Sequence, residues 1–200
     1  MRISKAISII LHPIFMPLSA FYLILKLVPN IVFAITNYLG FILIVLILST
    51  IIMPLLSSIF FMKKKVFKSV EMISHEERVA PLLSTAVWMG YGYYKISDIL
   101  SYAPILESEF ISMIIIIVVG CIISKYWKIS LHMLAIGGVV GVIFSLNVIF
   151  GGITKILIIS FLLAGVLAVA RINEKAHSHA QIYAGFIIGF IIETIGILFF

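Results

Sequence analysis

Charged side chains are scarce in this chain of 200 residues and make up only 11% of it. Ordinary soluble domains contain roughly 25% charged residues. Hydrophobic residues account for 63%, and the mean hydropathy is +1.28. A water-soluble fold cannot hide this much apolar surface, so the composition excludes a soluble domain and predicts a polytopic membrane protein. Its partner is then the lipid bilayer, and no nucleic-acid partner is expected.

Cysteine is nearly absent, since Cys121 is the single one and lies inside an apolar run. One cysteine excludes an intrachain disulfide and a cysteine metal cluster. Alternating strands of about 10 residues, which a membrane β-barrel requires, are also missing, as the unbroken apolar run 113–119 illustrates. These absences predict an all-α fold, a membrane helical bundle.

Apolar runs of helical length fill most of the chain. A spanning helix needs about 20 apolar residues, so the runs predict six or seven transmembrane helices in one membrane-embedded domain, residues 1–200. The first run resembles a signal peptide, but Pro13 and Pro17 interrupt it and no cleavage site is evident, which predicts a retained helix. The third run is the weakest, because Gly90 and Gly92 break it. The seven candidate spans are 7–28, 36–62, 79–97, 109–127, 131–150, 154–171 and 178–200.

Two glycine pairs have the spacing of close helix contacts. Gly137 and Gly141 are four residues apart, as are Gly185 and Gly189, and small residues at this spacing let membrane helices approach closely. Glycine is also simply frequent in membrane helices, so both interpretations stay open.

The polar segments all fall on one side of the membrane when the crossings are counted. With seven spans, the amino terminus shares a face with the loops after spans two, four and six. This face holds all of the 14 Lys and Arg except Lys26, Lys95 and Lys155. The positive-inside rule predicts that it is cytoplasmic, and we expect a multi-pass protein of the bacterial inner membrane. A phosphate site would collect cations on either face.

Ser130 and His132 open the fifth span. The first turn of a helix has unpaired backbone N–H groups and the positive end of the helix dipole, which together favour an anion. Ser130 can donate its hydroxyl, and His132 can donate a proton to a leaving oxygen. The same two residues also fit an ordinary helix N-cap and an interfacial histidine.

Arg171 ends the sixth span, and His177 and Gln181 begin the seventh. Residues four apart share a helix face, so the amide oxygen of Gln181 can accept a hydrogen bond from one imidazole nitrogen. The other nitrogen is then free to attack, since a second partner fixes the tautomer of such histidines. The alternative is a loop whose basic residues meet lipid headgroups.

Arg78 precedes the third span, next to the polar segment 75–77. An arginine is suited to clamp a phosphate with its planar fork, although a juxtamembrane charge cluster would look the same. Three polar clusters, each at a helix end and all on one face, predict an anion-binding site based on histidine.

The three clusters resemble the motifs of the type 2 phosphatidic acid phosphatase (PAP2) superfamily. Its members have a motif ending in Arg-Pro, then Pro-Ser-Gly-His, then Ser-Arg-(five residues)-His-(three residues)-Asp. The third motif matches best, with Arg171, His177 and Gln181 at the corresponding positions. The second corresponds to segment 128–132, and the first survives only as segment 78–81.

The resemblance covers about residues 63–190 and implies a PAP2-like fold. It implies a membrane enzyme that hydrolyses a lipid phosphate monoester or diphosphate and needs no metal or other cofactor. His177 would attack phosphorus to form a phosphohistidine, oriented by Gln181, and His132 would protonate the leaving alkoxide. The residues implied to hold the phosphoryl oxygens are Arg78, Ser130 and Arg171.

Three departures from the family pattern bear on the chemistry. Glu71 stands where the family has lysine, with Lys68 as a nearby substitute, and Leu131 replaces a glycine. Gln181 replaces the aspartate, and a neutral amide can orient His177 but cannot stabilise an imidazolium as a carboxylate does.

Two other functions fit the same residues. One is a non-catalytic binder or carrier of lipid phosphates on the same fold. The other is an unrelated small membrane transporter, to which Glu193 points best, because a charge deep in a span is functional by default.

Overall fold

The computed structural model describes residues 2–65 and 74–199, and all regular structure in these two ranges is helical. The all-α fold expected from the composition is confirmed. The α-helices are α1 (Arg2–Ile10), α2 (Met16–Leu27), α3 (Pro29–Ile35), α4 (Leu39–Ile47), α5 (Met53–Lys63), α6 (Val79–Leu100), α7 (Pro104–Tyr126), α8 (Leu131–Phe150), α9 (Thr154–Asn173) and α10 (His179–Phe199).

These helices form seven consecutive segments, which matches the prediction of six or seven spans. Segment α6 has 22 residues, long enough at 1.5 Å per residue to cross a bilayer, but its serines, tyrosines and glycines make it less apolar than the others. Among the described residues, six segments are both long and apolar enough to span: Arg2–Leu27, Pro29–Lys63, Pro104–Tyr126, Leu131–Phe150, Thr154–Asn173 and His179–Phe199.

Apolar side chains also cover the outside of the bundle. On α9, the residues Ile158, Leu162, Val166 and Val169 recur every three or four positions and are all exposed. This spacing places them on one helix face, and such an apolar face suits contact with acyl chains rather than water. The chain is therefore a polytopic membrane protein.

The first two segments are bent by proline. Pro13 begins a 3₁₀ turn, 13–15, that separates α1 from α2, because proline supplies no backbone N–H for the helix. In the second segment, the backbone widens to a π-helical turn over Leu48–Ile52, directly before Pro54 in the first turn of α5. Both bends face the interior cavity described below.

Segment α6 is a continuous helix through Gly90 and Gly92, so the expected interruption there is wrong. A glycine inside a helix costs only about 1 kcal/mol, which the surrounding contacts offset. Gly92 has a packing role, since a Cβ built on it would lie 2.7 Å from the Cβ of Ser49. The glycine therefore allows the π-helical turn to pack directly on α6.

The close contact expected from the glycine pairs is confirmed between α8 and α10. A Cβ on Gly185 would lie 2.7 Å from the carbonyl oxygen of Ser130, and one on Gly189 would overlap the carbonyl of Leu134. Further along, a Cβ on Gly141 would lie 2.9 Å from the Cβ of Glu193. The contacts advance in the same direction along both helices, so α8 and α10 are parallel and begin at the same end of the bundle.

Candidate functional site

The amino termini of α8 and α10 lie side by side. The backbone N–H of Ser130, the residue before α8, donates to the backbone carbonyl of Gln181 in the first turn of α10 at 3.3 Å. Two helix starts with their unpaired N–H groups thus point to the same place, and helix starts favour an anion. The second and third predicted clusters meet at this point.

A tight reversal between α9 and α10 brings Arg171 to the same end as His177. Lys175 has a φ of 53°, in the left-handed region, and the N–H of Ala176 donates to the carbonyl of Arg171 at 3.2 Å. Helices often end with a residue in this conformation, which satisfies their last carbonyls and turns the chain back. The five-residue gap between Arg171 and His177 is the length of this reversal.

His177 and Gln181 are bonded as the spacing predicts. The Nδ1 atom of His177 lies 3.0 Å from the Oε1 atom of Gln181. Oε1 also accepts the backbone N–H of Ser178 at 3.1 Å. A backbone N–H can only donate, so the amide presents its oxygen to both partners. Nδ1 of His177 therefore carries the hydrogen, and its Nε2 has a free electron pair.

Ser178 and Gln181 form a reciprocal helix cap. The backbone N–H of Gln181 donates to the hydroxyl of Ser178 at 3.4 Å, while the Gln181 side chain accepts the N–H of Ser178. This is the capping box, whose signature is serine followed three residues later by glutamine or glutamate. The signature is visible in the sequence, and our sequence analysis missed it. Gln181 thus has a structural task as well as its contact with His177.

Arg78 belongs to the same site, although it comes from the other half of the chain. Its side chain is only 7% exposed, and its Nη1 donates to the backbone carbonyl of Ile129 at 2.8 Å. This bond places the guanidinium beside Ser130. The Ser130 hydroxyl is buried, makes no capping bond, and has no hydrogen-bond partner among the described residues, so it remains available to a ligand.

Arg171 has an acidic partner that the sequence analysis did not anticipate. Its Nη1 lies 2.6 Å from Oε2 of Glu174, three residues later, and 3.2 Å from the hydroxyl of Ser8. The Nε of Arg171 is buried without a partner within the described parts of the chain. A phosphate bound here would share or displace the Glu174 carboxylate.

His132 lies next to the site, and its hydrogen bond points away from it. Its Nε2 is 3.1 Å from the backbone carbonyl of Ser8. A carbonyl can only accept, so Nε2 carries the hydrogen and a neutral His132 has no second one to donate. His12 contacts His132 edge to face, with ring centroids 5.4 Å apart. Acting as an acid at this site requires the second nitrogen of His132, Nδ1, to be protonated as well.

Burial and neighbouring cations keep His177 neutral. The pKa of His177 is lowered to about 4, mainly by burial and also by the charges of Arg78, Arg171 and Lys128, while the bond with Gln181 opposes the shift. The pKa of Lys128 is lowered by burial and by the two arginines, and that of Arg78 by burial and by Arg171. Cations that depress each other's pKa are gathered around a small volume, which is the electrostatic signature of an anion site.

Comparisons with protein-family models, with curated proteins and with solved structures found no match to this chain.

The structure brings together all six predicted site residues and adds Lys128, Ser8 and His12 as neighbours. Lys128 lies in segment 128–132, which carries the second motif, but it was not predicted as a site residue, and no local pattern marks Ser8 or His12. Lys68 and Glu71, which concern the first motif, lie outside the described residues. The six residues are Arg78, Ser130, His132, Arg171, His177 and Gln181.

An apolar cavity of about 310 Å³ opens beside the site and runs into the bundle. Arg78 and His12 line it at the end near the helix starts, and Glu109 and Glu193 line it further inside. Most of its other lining is aliphatic and comes from the bent first two segments together with α6, α7 and α8. Within residues 2–65 and 74–199, no three His, Cys, Asp or Glu side chains converge as metal ligands.

Proposed function

We propose that this chain is an integral membrane phosphatase of the PAP2 type, which hydrolyses a lipid phosphate monoester or diphosphate through a phosphohistidine at His177. The observation that supports this most is the bond from His177 to an amide oxygen whose orientation Ser178 fixes. This arrangement makes Nε2 a neutral nucleophile surrounded by cations.

In the proposed reaction, Nε2 of His177 attacks phosphorus and the bond from phosphorus to the ester oxygen breaks. Arg78, the Ser130 hydroxyl and the N–H groups of the two helix starts hold the phosphoryl oxygens, which is electrostatic stabilisation of the developing charge. The leaving oxygen takes a proton from His132 in its doubly protonated form. Water then attacks phosphorus and gives a proton to the neutral His132, the bond from phosphorus to Nε2 breaks, and inorganic phosphate and neutral His177 are released.

A lipid substrate suits the surroundings of the site. The cavity that begins at Arg78 is mostly aliphatic, and the outside of the bundle is apolar. A phosphate at the helix starts with a hydrocarbon chain along this apolar surface fits both environments, whereas a soluble sugar phosphate would leave the apolar part unused.

The test is phosphate release from several lipid phosphates and diphosphates by the full chain in detergent, with EDTA present. We expect release, and a phosphorylated His177 in protein quenched in alkali, where phosphohistidine survives. Release that stops with EDTA would contradict the metal-free reaction. Phosphate on another residue would contradict the assignment of the nucleophile.

The second candidate is a non-catalytic lipid-phosphate binder, which Gln181 favours because a carboxylate is missing. It predicts no phosphate release from any lipid, with lipid binding that survives His177→Ala. Both functions use the same cationic cluster, so vesicles containing phosphatidic acid are the binding probe for either.

We place the site on the cytoplasmic face of the bacterial inner membrane, on the basis of the lysine and arginine distribution. Seven spans put residue 200 on the opposite side. A reporter fused after this residue should therefore lie outside the cytoplasm, and a reporter active in the cytoplasm would contradict the orientation or the count.

A further inference from the structure

Two carboxyl groups meet inside the bundle, away from the site described above. Glu109 on α7 and Glu193 on α10 are 0% and 1% exposed. Both line the same cavity, and their carboxyl groups are close enough to interact directly. Both oxygens of Glu109 and Oε1 of Glu193 receive no hydrogen bond from any described residue.

The pair lies near the middle of the membrane. A Cβ built on Gly138 would be in contact with Oε2 of Glu193, at 3.7 Å. Gly138 is eight residues beyond Ser130, which at 1.5 Å per residue is about 12 Å along α8. The hydrocarbon core is about 30 Å thick. Two adjacent carboxylates cannot both stay ionised at this depth, because burial and mutual repulsion each disfavour the charge.

The cavity connects this pair to the cationic end. Its titratable lining residues among the described parts of the chain are Glu109 and Glu193 inside and His12 and Arg78 at the other end. On α8, the residues that face Glu193 are Gly138 and Gly141. The titratable residue of this helix, His132, lies in its first turn. The bent segments contribute Thr50, Pro54 and Ser58, and the polar lining of α6 between Arg78 and Met89 is Thr85.

We propose that Glu109 and Glu193 form a proton-binding site at the inner end of this cavity, and that the charge at Arg78 controls its proton affinity. A proton moves from water in the cavity to one carboxylate, and no other bond changes. The site goes beyond the phosphatase reaction and would operate equally in a lipid-phosphate binder.

The coupling follows from distance. The carboxyl group of Glu193 lies about 12 Å along α8 from Ser130, the residue next to the carbonyl that Arg78 contacts. Two unit charges at a separation of this order interact by roughly the equivalent of a tenfold change in an equilibrium constant at an effective dielectric constant of about 20. An anion bound at the helix starts adds a negative charge there, which disfavours a charged carboxylate in the pair. Anion binding at the helix starts and proton uptake by the pair therefore strengthen each other, and release of the anion releases the proton.

The test is an infrared pH titration of the full chain in a maltoside detergent, which has no carbonyl group of its own. We expect a carbonyl band of a protonated carboxyl at pH 7 that Glu109→Gln/Glu193→Gln removes. Glu107→Gln, a control on α7 whose carboxylate accepts from Tyr93, should retain the band. No band at pH 7, or a band that survives the double substitution, would overturn the proposal.

Two further sets of variants test the coupling to Arg78 and the independence of the proton site from the proposed phosphatase activity. Arg78→Gln should raise the pH at which the band disappears by about one unit, the equivalent of tenfold, whereas Arg78→Lys should leave it in place. An unchanged titration in Arg78→Gln would overturn the coupling. His177→Ala removes the proposed phosphatase activity and should keep the band, so the failure of one proposal is distinguishable from that of the other.

A second measurement does not depend on how the double variant folds. Dicyclohexylcarbodiimide reacts with protonated carboxyls in apolar surroundings. In the wild-type chain, mass spectrometry should find the adduct on Glu109 or Glu193 and none on the exposed Glu76. Absence of the adduct from both buried residues would overturn the proton site.

Discussion

The parallel helices α8 and α10 bring polar groups together at two depths, and the protonation of these groups is set in a different way at each depth. At the helix starts, the orientation of Gln181 is fixed by the backbone of Ser178, and this bond sets the hydrogen on His177. About 12 Å deeper, Glu193 meets Glu109, and three of their four carboxyl oxygens have no donor among the described residues. Near the interface, the backbone N–H of Ser178 orients Gln181 and so determines which nitrogen of His177 carries the hydrogen. Inside the membrane no backbone group does this, and a bound proton is needed to keep Glu109 and Glu193 side by side.

The largest effect should come from His177→Ala. Loss of an attacking nucleophile costs about 10³-fold or more in turnover, so phosphate release should fall to background. His179→Ala is the matched control, because His179 is exposed at the start of the same helix and its loss should leave the rate unchanged. An equal loss of lipid phosphate hydrolysis in both variants would contradict the assignment of His177 as the nucleophile.

Substitutions of Gln181 distinguish its orientation of His177 from the effect that a negative charge at this position would have. Gln181→Leu removes the partner of His177 and half of the capping box, so we expect the rate to fall about 10²-fold or more with lipid binding near normal. Gln181→Glu keeps the capping signature and adds the carboxylate that stabilises an imidazolium, so it should keep or raise the rate, as should Gln181→Asp. A glutamate variant as slow as the leucine variant would argue against phosphohistidine chemistry.

The packing of α8 on α10 positions both the helix starts and Glu193. A substitution at Gly189, between these two sites, should weaken it. Gly189→Ala forces a Cβ into the carbonyl of Leu134, and overpacking of this kind costs about 1–3 kcal/mol. Thermal unfolding in detergent should show a lower midpoint. Gly165→Ala on α9 meets open space and should be neutral or slightly stabilising, so equal destabilisation by both would show that packing at Gly189 is unimportant.

The smallest expected effect is on the pH dependence of the reaction. With a pKa of about 4, His177 is neutral above this value, so on the acid side kcat/KM should fall as the pH drops through about 4. Lys128→Gln removes one depressing cation and should move this limb toward neutral by less than about one pH unit. Lys125→Gln, an exposed control, should not move it. A limb near pH 6.5 in the wild type would contradict the buried, neutral histidine.

The same shift affects folding stability, with a defined sign. An unfolded histidine titrates near pH 6.5, so between about pH 6.5 and 4 the unfolded chain takes up a proton that folded His177 does not. The neutral imidazole's contribution is therefore complete above about pH 6.5 and is lost as the pH falls through this window. In denaturant titrations, wild type should therefore lose more stability between pH 7 and pH 5 than His177→Ala does.

Much of the fold was predictable because membrane helices are specified by length and apolarity. The boundaries of α8, 131–150, were predicted exactly by the apolar run. Contacts decided the rest. Gly90 and Gly92 looked like an interruption, but Gly92 provides space for Ser49, and this neighbour is invisible to any local pattern.

The site was predictable where its geometry is local. The spacing of Arg171, His177 and Gln181 encodes a helix end, a reversal and a helix start, so it specifies their proximity. The ion pair of Arg171 with Glu174 was also local and was missed, as a basic residue near a helix end was read only as a phosphate ligand. The contact of Arg171 with Ser8 joins residues 163 apart and has no sequence signature.

Ser8 has a consequence for how the chain is assembled. Its carbonyl accepts from His132 and its hydroxyl from Arg171, across separations of 124 and 163 residues. Synthesis proceeds from the amino terminus, so α1 enters the membrane long before these donors exist. Ser8, which is buried together with Ser4 in the finished bundle, therefore lacks these partners until α9 is inserted. We expect α1 to reach its final packing only after α9 and α10 have entered the membrane.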